Sequence, residues 1–585
     1  MKSHLLIILL AGFAALSATA QFRLNGLAVA HDSRTGTFLC SVPDSVFDNH
    51  YGARITLDKE WEELRIGDDI FINGDSVTFD SVAGGKTWSV TLTGDDGTQQ
   101  GNLTFTSLPI VMMAGNFGYD YTPGTGRVVE PGRVGDEWLT ARVKWRGGTT
   151  NTAGKHKRNY HIKFIDDNGD KQDHSFLGLR EDNSWIMDAG QVDMGRVRNR
   201  VATDLWLDMA SKPYHHSKEP EALTGVRGTM VEVFVNGAYN GIYNFSEAMD
   251  RKQLKLKKYK QDEDSITLRG QLWKAKSWTR TVSMYFPEDY DNDSDIWDGI
   301  EVKYPDFDEV QPTDWSTLHR ATQWMATVSS PSDFDDEADE YFDIPVIIDY
   351  IIFHNVLNAI DNLCKNIYWF CYDRTKSEVL SLAVWDLDTT VGQNWTDKPL
   401  HPANVGPTNP TLNGEHRLHS FITDPQSKYY PLWQHRYHQL RNTLLRADSL
   451  KARYARCIQA LIACGAAGRE EQRWSRVTDV AQNVINLAAE LEYIEQWIDR
   501  RMPFLDTTTY DTNTTVGDVN DDGEISVADI TALTDIVMSD LQPSPASLSP
   551  LERFRIDVNG DGEISVADIT ALVSIIMNNT PDKTP

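Results

Sequence analysis

The sequence predicts an α+β fold in three parts, and three observations support this. Residues 21–115 are rich in Thr, Val and Gly and contain short alternating runs such as SVTFDSV, which indicate a small antiparallel β domain. Residues 127–506 mix strand-like and helix-like patterns and form the main domain. After a polar segment at 507–516, which we predict to be a linker, residues 517–580 contain the same loop-and-helix pattern twice. This repeat predicts a small α module.

The first twenty residues, MKSHLLIILLAGFAALSATA, have the composition of a secretory signal peptide. They combine a Lys with an apolar stretch and end in Ala18-Thr19-Ala20, the small-residue pattern of a cleavage site. No other run approaches the roughly 20 apolar residues that cross a bilayer. We therefore expect a secreted or cell-surface-associated protein without a membrane span.

The chain is strongly acidic, with a formal net charge of −29 at pH 7. An acidic surface repels phosphates, so nucleic acid is not an expected partner. The five cysteines are too few for a disulfide framework in 585 residues. A mature chain of roughly 560 residues exceeds a typical single domain, in agreement with the three parts above.

A polar pair follows the apolar run IPVIIDYIIFHNVL in the central domain. Asp361 comes after this predicted helix, and Asn366 stands five residues later, where the aromatic strand NIYWFCYD begins. A second strand, VLSLAVWD, follows the turn RTKSE, so the two strands form a predicted hairpin. If the hairpin is symmetric about Lys376, Asn366 faces Asp386 and Asp361 lies at the same end. Two carboxylates and an amide would then converge.

This order of residues is the protein-kinase order. In kinases an Asp accepts the proton of the substrate hydroxyl, an Asn five residues later holds metal, and a second metal-binding Asp follows a hairpin. On this hypothesis Asp361 is the catalytic residue, and Asn366 and Asp386 are metal ligands with Asp388 as a second candidate. These residues could instead cap a helix and a turn, and the pattern alone leaves that alternative open.

A kinase also needs cations for the phosphates and an acid that orients them. The Gly- and Thr-rich segment RGGTTNTAGKHKRNYHIKF provides Lys157 and leads into a predicted strand. The segment VEVFVNGAYNGIYNFSE predicts a hairpin with an Asn-Gly turn, and its second strand ends in Glu247. We predict that Lys157 and Glu247 bind the cofactor as a Lys–Glu pair. For each of them, a solvated charge on a β surface is the alternative.

Several segments together resemble the spore-coat protein H (CotH) family of kinase-like proteins. They are RGGTT…KHKRNYHIKF, LGLREDNSWIMDAGQVDMGRVRNRVATDLW, VEVFVNGAYNGIYNFSE, AIDNLCKNIYWF and AVWDLDTTVG, in the family's order. The resemblance implies an atypical protein-kinase fold that uses ATP with Mg²⁺ or Mn²⁺ to phosphorylate serine. It also implies Asp361 as the catalytic Asp, Asn366 and Asp386 as metal ligands, and Lys157 as the phosphate-contacting Lys.

The C-terminal part contains two nearly identical segments, GDVNDDGEISVADITAL and IDVNGDGEISVADITAL, 39 residues apart. Oxygen-bearing side chains occupy loop positions 1, 3, 5, 9 and 12, Gly occupies position 6, and the Glu at position 7 offers its backbone carbonyl. This is the EF-hand pattern, because a hard cation prefers several oxygens on a bent loop. We therefore predict two Ca²⁺ sites. The predicted ligands are Asp518, Asn520, Asp522, Glu524, Ser526 and Asp529 in the first loop and Asp557, Asn559, Asp561, Glu563, Ser565 and Asp568 in the second.

These loops depart from EF-hands in two respects. Each lacks the preceding helix, and position 12 is Asp where EF-hands use Glu. Paired loop-plus-helix units of this type resemble the dockerin module. The resemblance implies a cohesin-like partner, through which secreted enzymes are placed in complexes or on cell surfaces. The insert SDLQPSPASLSPLERFR is long for the segment between dockerin repeats.

The leading hypothesis is a secreted atypical protein kinase that phosphorylates Ser or Thr of an unknown protein substrate and is localised by the dockerin-like module. One alternative is a catalytically silent kinase-fold scaffold. Another is an accessory subunit of an extracellular polysaccharide-degrading, cohesin-dockerin complex, by analogy with other dockerin bearers. The joint presence of Asp361, Asn366 and Asp386 favours the kinase, because silent kinase folds often lose one such residue.

Overall fold

The computed structural model describes most of the chain after residue 20. The described residues are 21–95, 97–134, 137–263, 265–394, 402–405, 416–475, 477, 485–510, 516–539, 548, 552, 555–559 and 563–579. The predicted signal peptide and the predicted calcium ligand Asp561 lie outside them. Within these ranges, no helix has both the length and the apolar character needed to cross a membrane.

The N-terminal strands form one mixed sheet. They are β1 (Phe22–Leu24), β2 (Leu27–Asp32), β3 (Thr37–Ser41), β4 (Tyr51–Leu57), β5 (Glu63–Ile66), β6 (Asp69–Phe71), β7 (Ser76–Phe79), β8 (Trp88–Gly94) and β9 (Gly97–Thr106). Their order across the sheet is β6-β5-β8-β9-β3-β2-β1-β4-β7, and β3 runs parallel to β9. Strand β4 shows why they form: buried and exposed residues alternate along it, so one face packs on the apolar core.

The next strands close into a barrel. They are β10 (Ile110–Gly115), β11 (Thr122–Val129), β12 (Leu139–Arg146), β13 (Asn159–Phe164), β14 (Ser184–Asp188), β15 (Gly228–Val235) and β16 (Ala238–Glu247). The order is β10-β11-β12-β13-β14-β16-β15, and the pairing of β10 with β15 closes it. The predicted Asn-Gly hairpin is confirmed as β15–β16, with left-handed backbone at Asn236 and Gly237.

Strand β10 differs from the prediction. Residues 110–115 are assigned to the N-terminal β domain by sequence, yet they pair with β11 and β15 of the barrel. All six residues are buried because both faces of the strand are covered. Val111 and Met113 fill the barrel, whereas Ile110 and Met112 pack against the N-terminal sheet. An all-apolar strand of this kind connects the two layers.

A further sheet carries the predicted hairpin of the central domain. Its strands are β19 (Gln271–Ala275), β20 (Ile296–Trp297), β21 (Ile300–Tyr304), β22 (Ile367–Cys371) and β23 (Ser381–Val384), in the order β20-β21-β19-β22-β23. A short ribbon, β17 (Lys260–Gln261) with β18 (Ile266–Thr267), precedes them.

The hairpin β22–β23 is confirmed, but its predicted register is wrong by one residue. Ile367 pairs with Val384, which places Asn366 opposite Trp385 instead of Asp386. The turn closes through a bridge between Asp373 and Ser377, so its centre is Thr375, one residue before the predicted centre at Lys376. A shift of one residue sends every side chain to the opposite face. The approach of Asn366 to Asp386 therefore depends on the loops beyond the strands.

Helices make up most of the remaining described structure. They are α1 (Arg198–Met209), α2 (Ser316–Thr327), α3 (Pro331–Tyr341), α4 (Ile344–Leu357), α5 (Arg417–Ile422), α6 (Tyr429–Arg441), α7 (Ala447–Ala463), α8 (Ala466–Trp474), α9 (Leu487–Thr508), α10 (Val527–Met538) and α11 (Val566–Asn579). Helix α4 is buried on almost all sides, and its apolar residues lie within the largest core cluster. Asn358 ends it in the left-handed conformation, as helix C-caps often do.

Helix α9 extends beyond the predicted domain boundary at Asp506. The helix continues to Thr508, and the ring of Tyr510 stacks on Tyr437 with centroids 3.5 Å apart. Asn355 also donates a hydrogen bond to the Tyr510 hydroxyl at 3.2 Å. Residues 507–510, assigned to the linker by sequence, therefore belong to the packed domain, because an aromatic ring at position 510 gains from burial.

The C-terminal module has a small apolar core of its own. Helices α10 and α11 pack together, with Leu533 and Leu572 at the centre. The module also contacts the main domain, since Gln439 of α6 donates a hydrogen bond to the backbone carbonyl of Asn559 at 2.8 Å.

Candidate active site

Asp361 and Asn366 lie side by side in the turn between α4 and β22. The Nδ2 of Asn366 donates to Oδ2 of Asp361 at 2.9 Å, and the Lys365 ammonium lies 3.0 Å from Oδ1. Asn366 adopts a left-handed φ of 57°, which Asn tolerates better than most residues. Burial raises the pKa of Asp361, while Lys365 and Asn366 act in the opposite direction.

The two acids of the DLD segment directly follow β23, close to Asp361. Burial raises the pKa of Asp388 well above its usual range, and the neighbouring carboxylates of Asp386, Asp188 and Asp361 raise it further. Asp386 also adds to the raised pKa of Asp361. The structure therefore brings the sequence-predicted Asp361, Asn366, Asp386 and Asp388 into one region of concentrated negative charge.

Asp188, at the end of β14, is a member of this region that sequence reasoning missed. The Nδ2 of Asn199 donates to Oδ2 of Asp188 at 2.6 Å, and Oδ1 of Asn199 accepts from the backbone N–H of Leu387 at 3.1 Å. Asn199 thus ties Asp188 to the loop that carries Asp386. The pattern of a buried apolar strand ending in Asp, shared by SWIMD and LAVWD, was the available signal.

Asn244 is a second residue that sequence reasoning missed. It pairs directly with Asp188 across β14 and β16, so the two side chains emerge from the same face of the sheet. Its Oδ1 is buried and has no hydrogen-bond partner within the described part of the chain. A buried amide oxygen of this kind is available to a cation.

Arg198 fixes the loop that follows Asp388. Its guanidinium is fully buried and forms ion pairs with Asp193 at 2.7 Å and with Glu490 of α9 at 2.6 Å. It also donates to the backbone carbonyls of Thr390 and Val391. The loop is therefore held between the start of α1 and the closing helix.

Lys157 is fully buried, and its acidic partner differs from the predicted Glu247. The Nζ of Lys157 donates to Glu470 of α8 at 2.7 Å and to the carbonyl of Ile242 at 2.8 Å. Arg196 donates to the same Glu470 oxygen at 2.7 Å. Burial lowers the pKa of Lys157, and the Glu470 carboxylate counteracts this. The alternative of a solvated charge is also wrong for Lys157.

Glu247 serves a different ion pair. Arg227 donates to it through Nε and Nη2 at 3.0 and 2.7 Å, and the backbone N–H of Arg180 donates at 3.0 Å. These partners and Gln253 occupy both carboxylate oxygens. The predicted Lys157–Glu247 pair is therefore wrong, because the end of β16 and residue 157 face different neighbours.

Two cations that the sequence did not single out flank the acids. Arg146, at the end of β12, lies 5.0 Å from the centroid of the Trp385 ring, and Lys274 of β19 lies 5.8 Å from the same ring. Burial lowers the pKa of Lys274 to about 8, while Asp386 acts in the opposite direction. One edge of the acidic region is therefore positively charged.

The first predicted calcium loop is bent around its acids. Asp518 is buried and accepts from the backbone N–H groups of Asp522 at 3.0 Å and Gly523 at 2.9 Å. Gly523 has a φ of 87°, as the predicted sharp turn requires. Asp529 is buried and caps α10 together with Ser526. Asn520, Asp522 and Glu524, the other predicted ligands of this loop, are exposed to solvent.

The described part of the second loop follows the same plan. Asp557 and Asp568 are buried. Asp568 accepts from the backbone N–H of Ser565 at 2.8 Å and of Asn559 at 3.1 Å, and Glu563 is exposed. The two repeats therefore use equivalent acids in equivalent local structure.

A family model described as CotH kinase protein matches residues 143–505, more than half of the chain. The chain belongs to the CotH kinase protein family. A second model, described as Dockerin type I domain, matches residues 516–581. No curated protein matches the chain.

The acidic region of the CotH domain has the donor chemistry of a hard cation. The available groups are carboxylate and amide oxygens, and the carboxylates raise one another's pKa, a repulsion that a divalent cation relieves. Across the described ranges, no three Asp, Glu, His or Cys side chains are close enough to hold a metal ion as they stand. The donor set of the CotH domain fits Mg²⁺ or Mn²⁺ chemically, and binding would require the side chains to move together.

Proposed function

We propose that the chain is a secreted atypical protein kinase that transfers phosphate from ATP to a Ser or Thr hydroxyl of a protein. The observation that carries this proposal is the pair formed by Asp361 and Asn366 beside the carboxylates of Asp386 and Asp388. Phosphoryl transfer requires a base for the hydroxyl and oxygens for the metal that accompanies the phosphates. The membership in the CotH kinase family supports the same reaction.

In this proposal Asp361 accepts the proton of the acceptor hydroxyl as the bond to phosphorus forms. Asn366, Asp386 and Asp388 hold the divalent cation, with Asp188 and Asn244 as additional oxygen donors. The cation, when bound, neutralises charge on the phosphates. Asp188 and Asn244 are contributed by the barrel, so the cation site would form between the barrel and the helical part.

The kinase-like fold is supported by the Lys157–Glu470 pair. Protein kinases require an ion pair between a strand Lys and a helix Glu next to the nucleotide phosphates. Here Glu470 of α8 takes the position that the sequence assigned to Glu247. Lys157 bonds to α8 through this pair, whereas Arg146 and Lys274 are the cations beside Asp386 that we assign to the nucleotide phosphates.

We further propose that the dockerin domain binds two Ca²⁺ ions and a cohesin-like partner and thereby sets the location of the enzyme. The matched loop geometry around Asp518 and Asp529 and around Asp557 and Asp568 supports this. Limited proteolysis of the whole protein tests it, because Ca²⁺ should protect residues 516–579 from cleavage. Equal cleavage with Ca²⁺ and with chelator would contradict the proposal.

A catalytically silent scaffold is the second candidate. One observation favours it: the Nζ of Lys157 is fully enclosed, and its hydrogen bonds go to Glu470 and Ile242. In this case the fold would bind a partner without transferring phosphate. Binding of ATP without any phosphate transfer would support the scaffold.

Transfer of radiolabelled phosphate from ATP to the chain itself or to a generic acidic protein tests the kinase, with Mg²⁺ and Mn²⁺ compared. Asp361→Asn should abolish transfer while the protein stays folded, because the amide cannot accept the proton. Asp167→Asn, in an exposed turn of the barrel, is the matched control and should retain full transfer. Full activity of Asp361→Asn would overturn the assignment.

A further inference from the structure

A cavity of about 300 Å³ lies where the N-terminal sheet, the barrel and helix α8 meet. The turn after β2 forms one wall, the β15–β16 hairpin forms the second, and α8 forms the third. Its size lies at the lower end of the range for small-molecule sites. The cavity is separate from the acids of the candidate active site, none of which lines it.

The lining of this cavity carries an excess of positive charge. Arg469 is neutralised by Glu232, with two N···O distances of 2.7 and 2.8 Å, and Arg34 forms an ion pair with Asp32 at 3.3 Å. Among the described residues, Arg473 has no carboxylate within 4 Å. Burial lowers the pKa of Arg473, and the positive charge of Arg34 adds to this effect.

The two arginines are held so that they face the cavity. Arg473 donates from Nε to the carbonyl of Tyr239 at 3.3 Å, and Arg34 donates to the same carbonyl. The Arg473 guanidinium also lies 3.7 Å from the centroid of the Trp474 ring. Each of these two guanidinium groups uses one N–H to bind the Tyr239 carbonyl, and several of their other N–H groups have no carboxylate partner. These remaining N–H groups can donate hydrogen bonds to an anion.

The remaining wall of the cavity is apolar. Leu39 and Phe234 are buried there, and the rings of Phe234 and Tyr239 meet edge to face at 5.4 Å. A cavity with paired cations on one side and aromatic and aliphatic carbon on the other fits a ligand with a charged group and a less polar body.

We propose that this cavity binds a small organic anion whose carboxylate or phosphate contacts Arg473 and Arg34 and whose body packs on Phe234 and Leu39. The proposal does not depend on the proposed phosphoryl transfer, because none of the residues assigned to that reaction lines the cavity. Its ligand would join α8 to the N-terminal sheet. Because α8 also carries Glu470, which holds Lys157, an occupied cavity would stabilise that buried pair.

Isothermal titration calorimetry of the whole protein tests the proposal with glucuronate, glucose 6-phosphate and glucose as probes. We expect at least one charged sugar to bind and glucose to bind at least about tenfold more weakly, because a hydrogen bond to a charged group contributes roughly 1.5–3 kcal/mol. Absence of binding by both charged probes, or equal binding of glucose, would overturn the proposal.

Charge-removing variants locate the site. Arg473→Gln and Arg34→Gln should each weaken the charged probe about tenfold, since each removes one charged hydrogen bond. Arg65→Gln removes the same charge from the N-terminal sheet at a position outside the cavity and should bind as the wild type does. If all three variants bind equally well, the ligand binds elsewhere and the inference is wrong.

Hydrogen exchange provides a readout for the link to α8. The bound probe should slow amide exchange in residues 466–474 relative to the free protein, and Arg473→Gln should lose this protection. Protection confined to the N-terminal sheet would contradict a contact with α8.

Discussion

Asn366 donates a hydrogen bond to the carboxylate of Asp361 at 2.9 Å, and Lys365 contacts the other oxygen at 3.0 Å. Both contacts favour the charged carboxylate, whereas burial and the nearby Asp386 favour the protonated form. The pKa of Asp361 is raised as the net result. The pKa of Asp361 therefore depends on opposing effects, namely burial and Asp386 against Lys365 and Asn366. A single substitution at one of these residues should change that pKa.

Asn366→Gly should shift the pH dependence of phosphate transfer. Glycine accepts the φ of 57° without strain, so the fold should persist. Loss of the hydrogen bond raises the pKa of Asp361 further, and the base works only when deprotonated. The acid limb of the pH–rate profile should therefore move to higher pH. Because glycine also removes a proposed ligand of the cation, transfer at pH 7 should fall at least about tenfold.

Asn25→Gly is the control, because Asn25 also has a positive φ and hydrogen bonds but lies in the N-terminal sheet. An unchanged acid limb in Asn366→Gly would show that this bond does not tune Asp361.

Asp388→Asn should stabilise the metal-free protein at neutral pH. The folded-state pKa of Asp388 is raised, so the charged form is disfavoured on folding, and stability falls as pH rises above the unfolded-state value near 4. The amide removes this penalty, and we expect Tm at pH 7 to rise by about 2 °C. Below pH 4 the gain should vanish because Asp388 is protonated in both states.

Differential scanning fluorimetry at pH 3 and pH 7 measures this effect, with Asp167→Asn as the control. The Asn variant should also show a smaller Tm increase with Mn²⁺, because it has one carboxylate fewer for the cation. A wild-type Mn²⁺ response in Asp388→Asn would remove this residue from the metal site.

Glu470→Gln should destabilise the fold more than Lys157→Met. The glutamine leaves the buried Lys157 and Arg196 without an acid, at a cost of about 3–5 kcal/mol. The methionine removes one cation and leaves Glu470 paired with Arg196, so its cost should be smaller. Urea denaturation measures both, and Glu340→Gln on the exposed side of α3 is the control. If Lys157→Met lost more stability than Glu470→Gln, Arg196 would not be able to neutralise Glu470 when Lys157 is absent.

Gly392→Ala should disturb the loop after Asp388. A Cβ at Gly392 would lie 2.2 Å from the Tyr493 hydroxyl of α9, and the φ of 80° adds strain. We expect a loss of about 2–4 kcal/mol from strain and overpacking together. Gly178→Ala has a similar φ of 72° and open space around it, so it should show the strain alone. Equal losses in the two variants, measured by urea denaturation, would exclude the contact with α9.

A chain that ends at Tyr510 should keep the thermal shift that ATP with Mn²⁺ causes in the whole protein. A chain that ends at Asp506 should have a free energy of unfolding about 3 kcal/mol lower than the chain that ends at Tyr510. The shorter chain loses the Tyr510 ring from its stack on Tyr437 and from Trp433, at 3.5 and 4.8 Å. Thermal-shift titration of both chains measures this. If the longer chain lost its nucleotide response, the contact of Gln439 with Asn559 in the dockerin domain would be functional.

Local patterns in the sequence were sufficient for the elements around Asp361. The apolar run before it forms α4, and the spacing of five residues to Asn366 places the amide next to the carboxylate. The hairpin exists, yet its register could not be read from the predicted five-residue turn, because the bridge from Asp373 to Ser377 leaves only three residues in that turn.

Contacts between distant segments were beyond the reach of such patterns. Nothing near Lys157 in the sequence indicates Glu470, and Glu247 was the nearer acid on a predicted strand. Asn199 and Asp188 contact the loop with the DLD segment only because the barrel packs on the sheet that contains β22 and β23. Tyr510 stands in a polar, Thr-rich segment, so its burial against Tyr437 depends on a surface that other helices provide.

Lys157 and Glu470 are far apart in the sequence, so their ion pair can form only late in synthesis of the chain. Glu470 is synthesised 313 residues after Lys157, about 15–60 s later at roughly 5–20 residues per second. Until α8 emerges, Lys157 and Arg196 lack the acid that both contact in the folded protein. A polypeptide released before α8 would lack this partner, so only chains that extend past α8 can form the Lys157–Glu470 pair.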